Sequence, residues 1–460
     1  MRAAAFLLRG RPSCFQKGDE VLSASRSNRR RRRRRSAAIL NLLPRRLSPG
    51  VVLNTVCSII IVICLVIGLF QWQAERQRAA EEAERLAAEE AARQEEEAAA
   101  AAAAAATYDF TVALAGDVNL DDSWPTMTYL AAQEGGISDC IDAGLLERMQ
   151  SADLFCLNSE FAFTTGGQAL DGKAYTFRSD PSNVSIYQTM GVDLVTLANN
   201  HIYDFGPEGL TDTLATLDGA GIAHVGAGET LADAMTPYYW EHDGVTVAFV
   251  SACCAEQNRF TPEATADSSG VLLCYETDKF VSAIQTARQN ADYVIACVHW
   301  GTDYVYEASE QQRADARTYI DAGADVIVGS HSHCLQGIEY YNGKPIFYSL
   351  GSGWFNERTL ETCLLELRFT GDGNGGEITA TVVPAIQENC TTRLTQSAQE
   401  AQQVFDLMLE YSFDVNISAE GLVTPASAQA EDSSAETGDT TAETSDTTPE
   451  DTSPPDEAAS

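Results

Sequence analysis

Six short apolar runs recur along the middle of this chain: "FTVALAGD", "DLFCLNSE", "DLVTLANNH", "VTVAFVSA", "DYVIACVHWG" and "DVIVGSHSH". They show little polar–apolar alternation, which predicts strands buried on both faces. Helical stretches lie among them. One spans Pro207–Ala220 and is stopped by Gly221, another spans Asp278–Ala291, and a third spans Ser309–Ala322 and is stopped by Gly323. This interleaving implies an α/β domain with sandwich-like layers, roughly Thr107 to Ser412. "YYNGKPIFYSL" reads as a hairpin turning at Asn342-Gly343.

The chemistry gathers where five of these runs end. Their last residues include Asp117, Glu160, Asn199, Asn200, His201, His299, His331 and His333. Open α/β sheets bind ligands just outside the carboxyl ends of their strands. Side chains two apart on an extended backbone point the same way, so His331 and His333 are expected to reach one centre together. A ligand set of imidazole, amide and carboxylate without thiolate suits Zn, Mn or Fe. Asp117, Glu160, Asn200, His299, His331 and His333 offer more ligands than one tetrahedral zinc needs. They suit two divalent ions sharing a bridging carboxylate. Such ions, about 3.5–4 Å apart, clamp a phosphate-like oxygen and activate water.

His201 is the candidate general acid, because imidazole titrates near neutral pH; a hydrogen bond to a ligand is its plainer role. Arg178, in "FRSDP", is a candidate for binding an anionic substrate, with a surface ion pair as the alternative. Asp117 has an alternative as a turn residue and Glu160 as a salt-bridge partner. His224 and His242 stand apart from strand ends and are read as packed or surface residues.

The ends of the chain have a different character. "VVLNTVCSIIIVICLVIGLF", Val51–Phe70, is uncharged and about as long as a bilayer core requires, with Trp72 at its edge. Arginines crowd before it, including the run Arg29–Arg35, which predicts a cytoplasmic N-terminus and an exported remainder. A cleaved signal peptide is the rival reading, but the apolar run is long for one and no clear small-x-small cleavage site follows it. The expected segments are therefore a basic stretch (1–50), a membrane anchor (51–72), an Ala/Glu-rich helical spacer (73–106), the domain (107–412) and an acidic Ser/Thr/Pro-rich tail (413–460) expected to be disordered. Residues 1–46 hold 14 of the 30 basic residues, leaving 16 against 64 acids in the rest of a chain with net charge -36. Phosphate backbones would be repelled, so a nucleic-acid partner is not expected. Nine cysteines follow the anchor; Cys253 and Cys254 are adjacent and cannot easily bond each other, and no disulfide framework is read from the spacing.

Taken together, "LAGDVNL", "NSEFAF", "FRSDP", "GVDLVTLANNHIYDFGPEGLTDTLATLDGAGIAHVGAG", "VHWGTDY" and "DAGADVIVGSHSHCLQGIEYYNGKPIFYSLGS" resemble the CapA family of capsule or poly-γ-glutamate synthesis proteins, from about Phe110 to Phe355. The resemblance implies a layered β-sandwich flanked by helices, similar to calcineurin-like metallophosphoesterases. It also implies roles. Asn200 and His201 match an asparagine ligand followed by a catalytic histidine, His331 and His333 match a ligand pair, and His299 matches a lone strand-end ligand. The chain departs from the wider phosphoesterase pattern at Asn119, where a histidine is usual, and at Glu160, where an aspartate bridges. Within the CapA branch it departs at Asp303, Ser332 and Ser352.

Two functions follow from this reading. The first is a membrane-anchored extracellular protein taking part in capsule polymer synthesis, export or attachment through a metal-dependent, hydrolase-type site. Its partners would be an anionic envelope polymer and a capsule synthase complex. The alternative, kept open by the altered first motif, is a non-catalytic polymer-binding or assembly module.

Overall fold

The computed structural model describes residues 49–105, 107–256, 260–372 and 375–426. The basic stretch before residue 49 and the tail beyond 426 lie outside the described residues. The described residues of the first compact unit, which ends at Ala99, belong to a single helix, α1 (Pro49–Ala105), which runs without a break through the expected anchor and spacer. Among the described residues it is the one helix long and apolar enough to cross a bilayer. Its apolar side chains Leu53, Ile60, Leu65 and Phe70 are exposed.

The second unit begins with β1 (Thr107–Val118), α2 (Ala143–Ser151), β2 (Leu154–Ser159), α3 (Val184–Met190), β3 (Leu194–Thr196), α4 (Gly206–Ala220) and β4 (Ala223–Val225). Next come β5 (Tyr238–His242), β6 (Val245–Cys253), α5 (Asp278–Arg288), β7 (Tyr293–Trp300), α6 (Glu310–Ala322) and β8 (Val326–His331). The chain continues through β9 (Ile338–Tyr341), β10 (Lys344–Phe347), β11 (Ser352–Trp354), β12 (Leu360–Asp372), β13 (Gly375–Glu388) and β14 (Thr391–Leu394). It closes with α7 (Ala398–Glu410), β15 (Val415–Ile417) and β16 (Leu422–Pro425).

Two mixed sheets result. One has the order β15-β16-β13-β12-β1-β2-β3-β4, and the other β9-β10-β8-β7-β6-β5. β1 to β4 pair in parallel, as do β6, β7 and β8. Strand alternation decides what each face buries. Val112 and Leu114 of β1 meet Val247 and Phe249 of β6 and Ile295 of β7 in a core between the sheets. Ala113 and Ala115 face the other way, into a core with Leu145 and Met149 of α2 and Leu210 and Leu217 of α4. Ala248 and Val250 likewise turn outward onto Phe280 and Ile284 of α5 and Tyr319 and Ile320 of α6. The domain is thus a helix–sheet–sheet–helix sandwich, and its central strands are buried on both faces, which is why they read as unbroken apolar runs.

Local signals agree with these elements. Ser309 caps α6 by accepting from the Gln312 amide, and the Gln312 side chain answers by accepting from the Ser309 amide. α4 ends on Gly221 in the left-handed region, and Asn342-Gly343 turns the β9–β10 hairpin with φ of 51° and 75°. The long antiparallel pair β12–β13, absent from the sequence-based strand assignments, brings β12 alongside β1.

The domain boundary needs correcting. Residues 413–426, expected to open a disordered tail, form β15 and β16, and β16 pairs with β13 through Val423 and Leu422. Val423 is buried in the core between the sheets, and that burial offsets the ordering entropy an isolated acidic segment would not recover.

Candidate metal centre

The carboxyl ends of β1, β2, β7 and β8 and the loop after β3 converge on one point. Gly116 lets β1 run against the β10–β11 loop, since a Cβ there would sit 1.9 Å from the Gly351 carbonyl oxygen. The following residue, Asp117, is fully buried. Its Oδ1 accepts from Asn158 Nδ2 at 2.8 Å, and its Oδ2 lies 3.0 Å from His333 Nδ1. Gly329 in β8 plays a similar part, because a Cβ there would stand 1.8 Å from the Tyr348 carbonyl oxygen. β8 then ends on His331 with a φ of 94°, and His333, two residues beyond, has a φ of 56°. Non-glycine residues seldom occupy that region, and such strain collects at functional sites.

Glu160, directly after β2, is at the centre. It is fully buried; its Oε2 accepts from Asn158 Nδ2 at 3.3 Å, and its Oε1 has no hydrogen-bond partner. Three imidazoles surround that orphaned oxygen: His299 Nε2 at 3.6 Å, His333 Nε2 at 3.9 Å and His201 Nε2 at 4.0 Å. His299 is fixed on one side by Ser330 Oγ at 2.9 Å and on the other by Asn200 Oδ1 at 2.8 Å. Two triads of ligand atoms, each within 4.8 Å of one another, share Glu160: Glu160–His299–His331 and Asp117–Glu160–His333. His331 and His333 therefore fall into different triads. Both triads meet at Glu160.

The electrostatics fit cations. Burial, reinforced by the neighbouring Asp117 charge, pushes the Glu160 carboxyl well above its usual range. Burial pushes His299 well down, and burial with the His333 charge lowers His331 to about 4. Burial works to raise Asp117, but His333 and Asn158 outweigh it and hold its carboxyl low. The lowered His299 and His331 imidazoles and the unpartnered buried Glu160 oxygen form a donor set suited to divalent cations.

His201 sits beside this cluster. Its Nδ1 is 2.7 Å from Asp204 Oδ2 and its ring lies against Phe177. Asp204 also accepts from Lys173 Nζ at 2.6 Å and from the Phe177 amide at 2.8 Å. Burial lowers the His201 pKa although Asp204 opposes it. The sequence reading passed over Asp204, Lys173 and Asn158. Asp204 stands three residues past His201 and could have been noticed by spacing; Lys173 and Asn158 carry no local signal.

These groups open into a cavity of about 380 Å³ lined by Trp124, Tyr175, Phe177, Asn200, His201, His331, His333 and Phe355, together with Glu256, Asp303 and Arg358. Arg178 is not among the lining residues. Its side chain is exposed and its guanidinium lies 4.7 Å from the Phe205 ring centre. Arg358 is the cation that lines the cavity, held over the Tyr304 ring at 4.4 Å.

Residues 111–357 match the family model for the bacterial capsule synthesis protein PGA_cap. The chain belongs to that family. It is 33% identical over 258 residues to the PGA biosynthesis protein CapA of Bacillus subtilis, covering 53% of this chain and 67% of that protein. With the capsule biosynthesis protein CapA of Bacillus anthracis it shares 34% identity over 232 residues, covering 48% of this chain and 54% of the relative. It thus spans between about half and two thirds of these relatives' lengths. Among solved structures, the NAD nucleotidase of Haemophilus influenzae aligns with a TM-score of 0.37 at 14% identity, covering 66% of this chain and 60% of that one. Asn119 directly follows β1. It is buried, its Oδ1 accepts from the Asp121 amide at 2.8 Å, and its Nδ2 has no partner.

Proposed function

We propose that this chain is a membrane-anchored, metal-dependent hydrolase or transferase of capsule polymer synthesis, acting outside the cell on a phosphoester or γ-glutamyl linkage. The observation that carries the reading is the orphaned Glu160 Oε1, buried where two ligand triads cross. In this reading residues 1–50 stay in the cytoplasm, 51–72 span the membrane, 73–106 act as a spacer, and the domain extends from 107 to 426.

Glu160, His299 and His331, with Asn200 beside them, would hold one divalent ion (Mn, Zn or Fe), and Asp117, Glu160 and His333 a second. Such ions supply Lewis acidity toward a phosphoryl or carbonyl oxygen and make nearby water more acidic. The remaining steps belong to the chain. Asp204 accepts the Nδ1 proton of His201, fixing the ring so that Nε2 faces the cavity. As imidazolium, His201 gives its Nε2 proton to the departing oxygen or nitrogen, and Asp204 stabilises the charge until the proton leaves. Lys173 keeps Asp204 in place through its 2.6 Å contact. Arg358 binds an anionic group of the substrate, and the aromatic walls of Phe177, Phe355 and Trp124 exclude water.

Asn119 supports a second reading, in which the site grips polymer without turnover, because a side chain that could ligate is replaced by an amide engaged with Asp121. Full-length protein in detergent, stripped of metal and reloaded with Mn or Zn, separates the two when assayed on phosphoester and γ-glutamyl substrates. Metal-dependent turnover that disappears in a metal-retaining His201→Ala protein supports the enzyme. Metal-dependent polymer binding by a wild type that never turns over supports the module.

A further inference from the structure

A second chemical feature lies at the end of β6, outside the metal cluster. Cys253 pairs in parallel with Leu273: its amide donates to Leu272 O at 2.9 Å, and the Cys274 amide donates to Cys253 O at 3.0 Å. This register places Cys254 and Cys274 side by side, one residue further on. It also puts them on the face opposite Cys253. Cys253 and Leu273 pack with the α2 and α4 side of the first sheet, whereas Cys274, with Cys254 against it, packs with Trp300 and Tyr319. Burial, with the Cys254 thiol beside it, pushes the Cys274 thiol well above its usual range, so Cys254, the more exposed of the two, is the first to react. Paired residues on neighbouring strands have Cα atoms about 5 Å apart, within the roughly 4.4–6.8 Å that a disulfide spans.

Access is unequal in a useful way. Both residues line a cavity of about 300 Å³ that also includes Thr302, Glu307 and Gln311. Cys254 is partly exposed and Cys274 is buried. Cys156 and Cys297, by contrast, are buried in the core between the sheets.

We propose that Cys254 and Cys274 form a reversible disulfide, a covalent clamp beside the metal-bearing strand β7. Its formation is a thiol–disulfide exchange with a small-molecule disulfide. The Cys254 thiolate attacks one sulfur of the reagent, breaking its S–S bond and releasing one thiol. The Cys274 thiolate then attacks Cys254 Sγ in the mixed disulfide and releases the second. Two protein thiols lose two electrons and two protons in total, and the reagent gains them as two thiols. The bond closes a loop of about 20 residues, long enough to restrict the unfolded chain appreciably. It also ties the 272–274 segment to Cys254, whose amide donates to His299 O at 2.9 Å.

The test is peptide mapping of the full-length protein after incubation with oxidised glutathione and alkylation of free thiols. Cleavage after Arg259 separates the two cysteines onto different peptides. The expected product is a cross-linked pair lighter by two hydrogens, released by dithiothreitol, with a melting temperature about 5 °C above the reduced protein. Cys254→Ser should abolish both the link and the shift, and Cys253→Ser should leave them in place. Folded wild-type protein in which Cys254 and Cys274 are both still alkylated after oxidation would overturn the proposal. So would a cross-link that runs through Cys253.

Discussion

Replacing Glu160 with glutamine should stabilise the metal-free protein and remove its response to metal. In the wild type, Glu160 Oε1 is buried without a partner while Oε2 accepts from Asn158. A buried polar atom left unsatisfied costs about 1–3 kcal/mol. Glutamine keeps an acceptor for Asn158, removes the charge next to Asp117, and offers an N–H to the surrounding imidazoles. The metal-free variant should therefore melt about 2–6 °C higher than metal-free wild type at neutral pH. Added cation reverses the order. At about 100 times its dissociation constant a ligand stabilises by about 2.7 kcal/mol, a gain the wild type should show and the variant should lack. The pH dependence has a definite sign. The folded-state pKa of Glu160 lies above its unfolded value of 4.5, so the penalty is absent below the unfolded value and grows as pH rises toward the folded one. The advantage of the variant should accordingly shrink toward pH 4, and the wild type's apparent metal affinity should rise with pH as the proton is displaced. Scanning calorimetry with chelator and with Mn or Zn at several pH values measures all of this. A Glu160→Gln protein that is less stable than wild type without metal, yet keeps the full metal-induced shift, would refute the assignment of this oxygen as the shared ligand.

Asp204→Asn should lower kcat by roughly 10- to 100-fold with metal content unchanged, since a buried partner that orients a catalytic imidazole is lost; metal analysis beside steady-state kinetics tests this. Arg358→Ala should raise KM roughly tenfold for an anionic substrate and leave kcat nearly unchanged, whereas Arg178→Ala should change neither, as kinetics on matched anionic and neutral substrates would show. Ending the chain at residue 412 rather than 426 should lower the melting temperature by about 4 °C or more, because Val423 and its pairing with Ala380 are removed. Differential scanning of the two truncations decides it.

Much of this molecule was legible along the chain. Strands buried on both faces must be apolar throughout, so β1, β2, β6, β7 and β8 announce themselves as runs, and their ends mark where ligands collect. Ser309, Gly221 and Asn342-Gly343 act through bonds and dihedrals within a few residues, so their meaning survives without the rest of the fold. The partition of ligands does not. His331 and His333 have the same local context, yet one joins His299 and the other Asp117, some 216 residues away. Arg178 stands out by its place in "FRSDP" and Arg358 does not; the fold sets Arg178 on Phe205 and Arg358 on Tyr304 at the cavity wall. Residues 413–426 look like the start of a polar tail until β13 offers them an edge. In each case the deciding energy comes from burial against partners tens to hundreds of residues distant, a quantity that a short window of sequence does not contain.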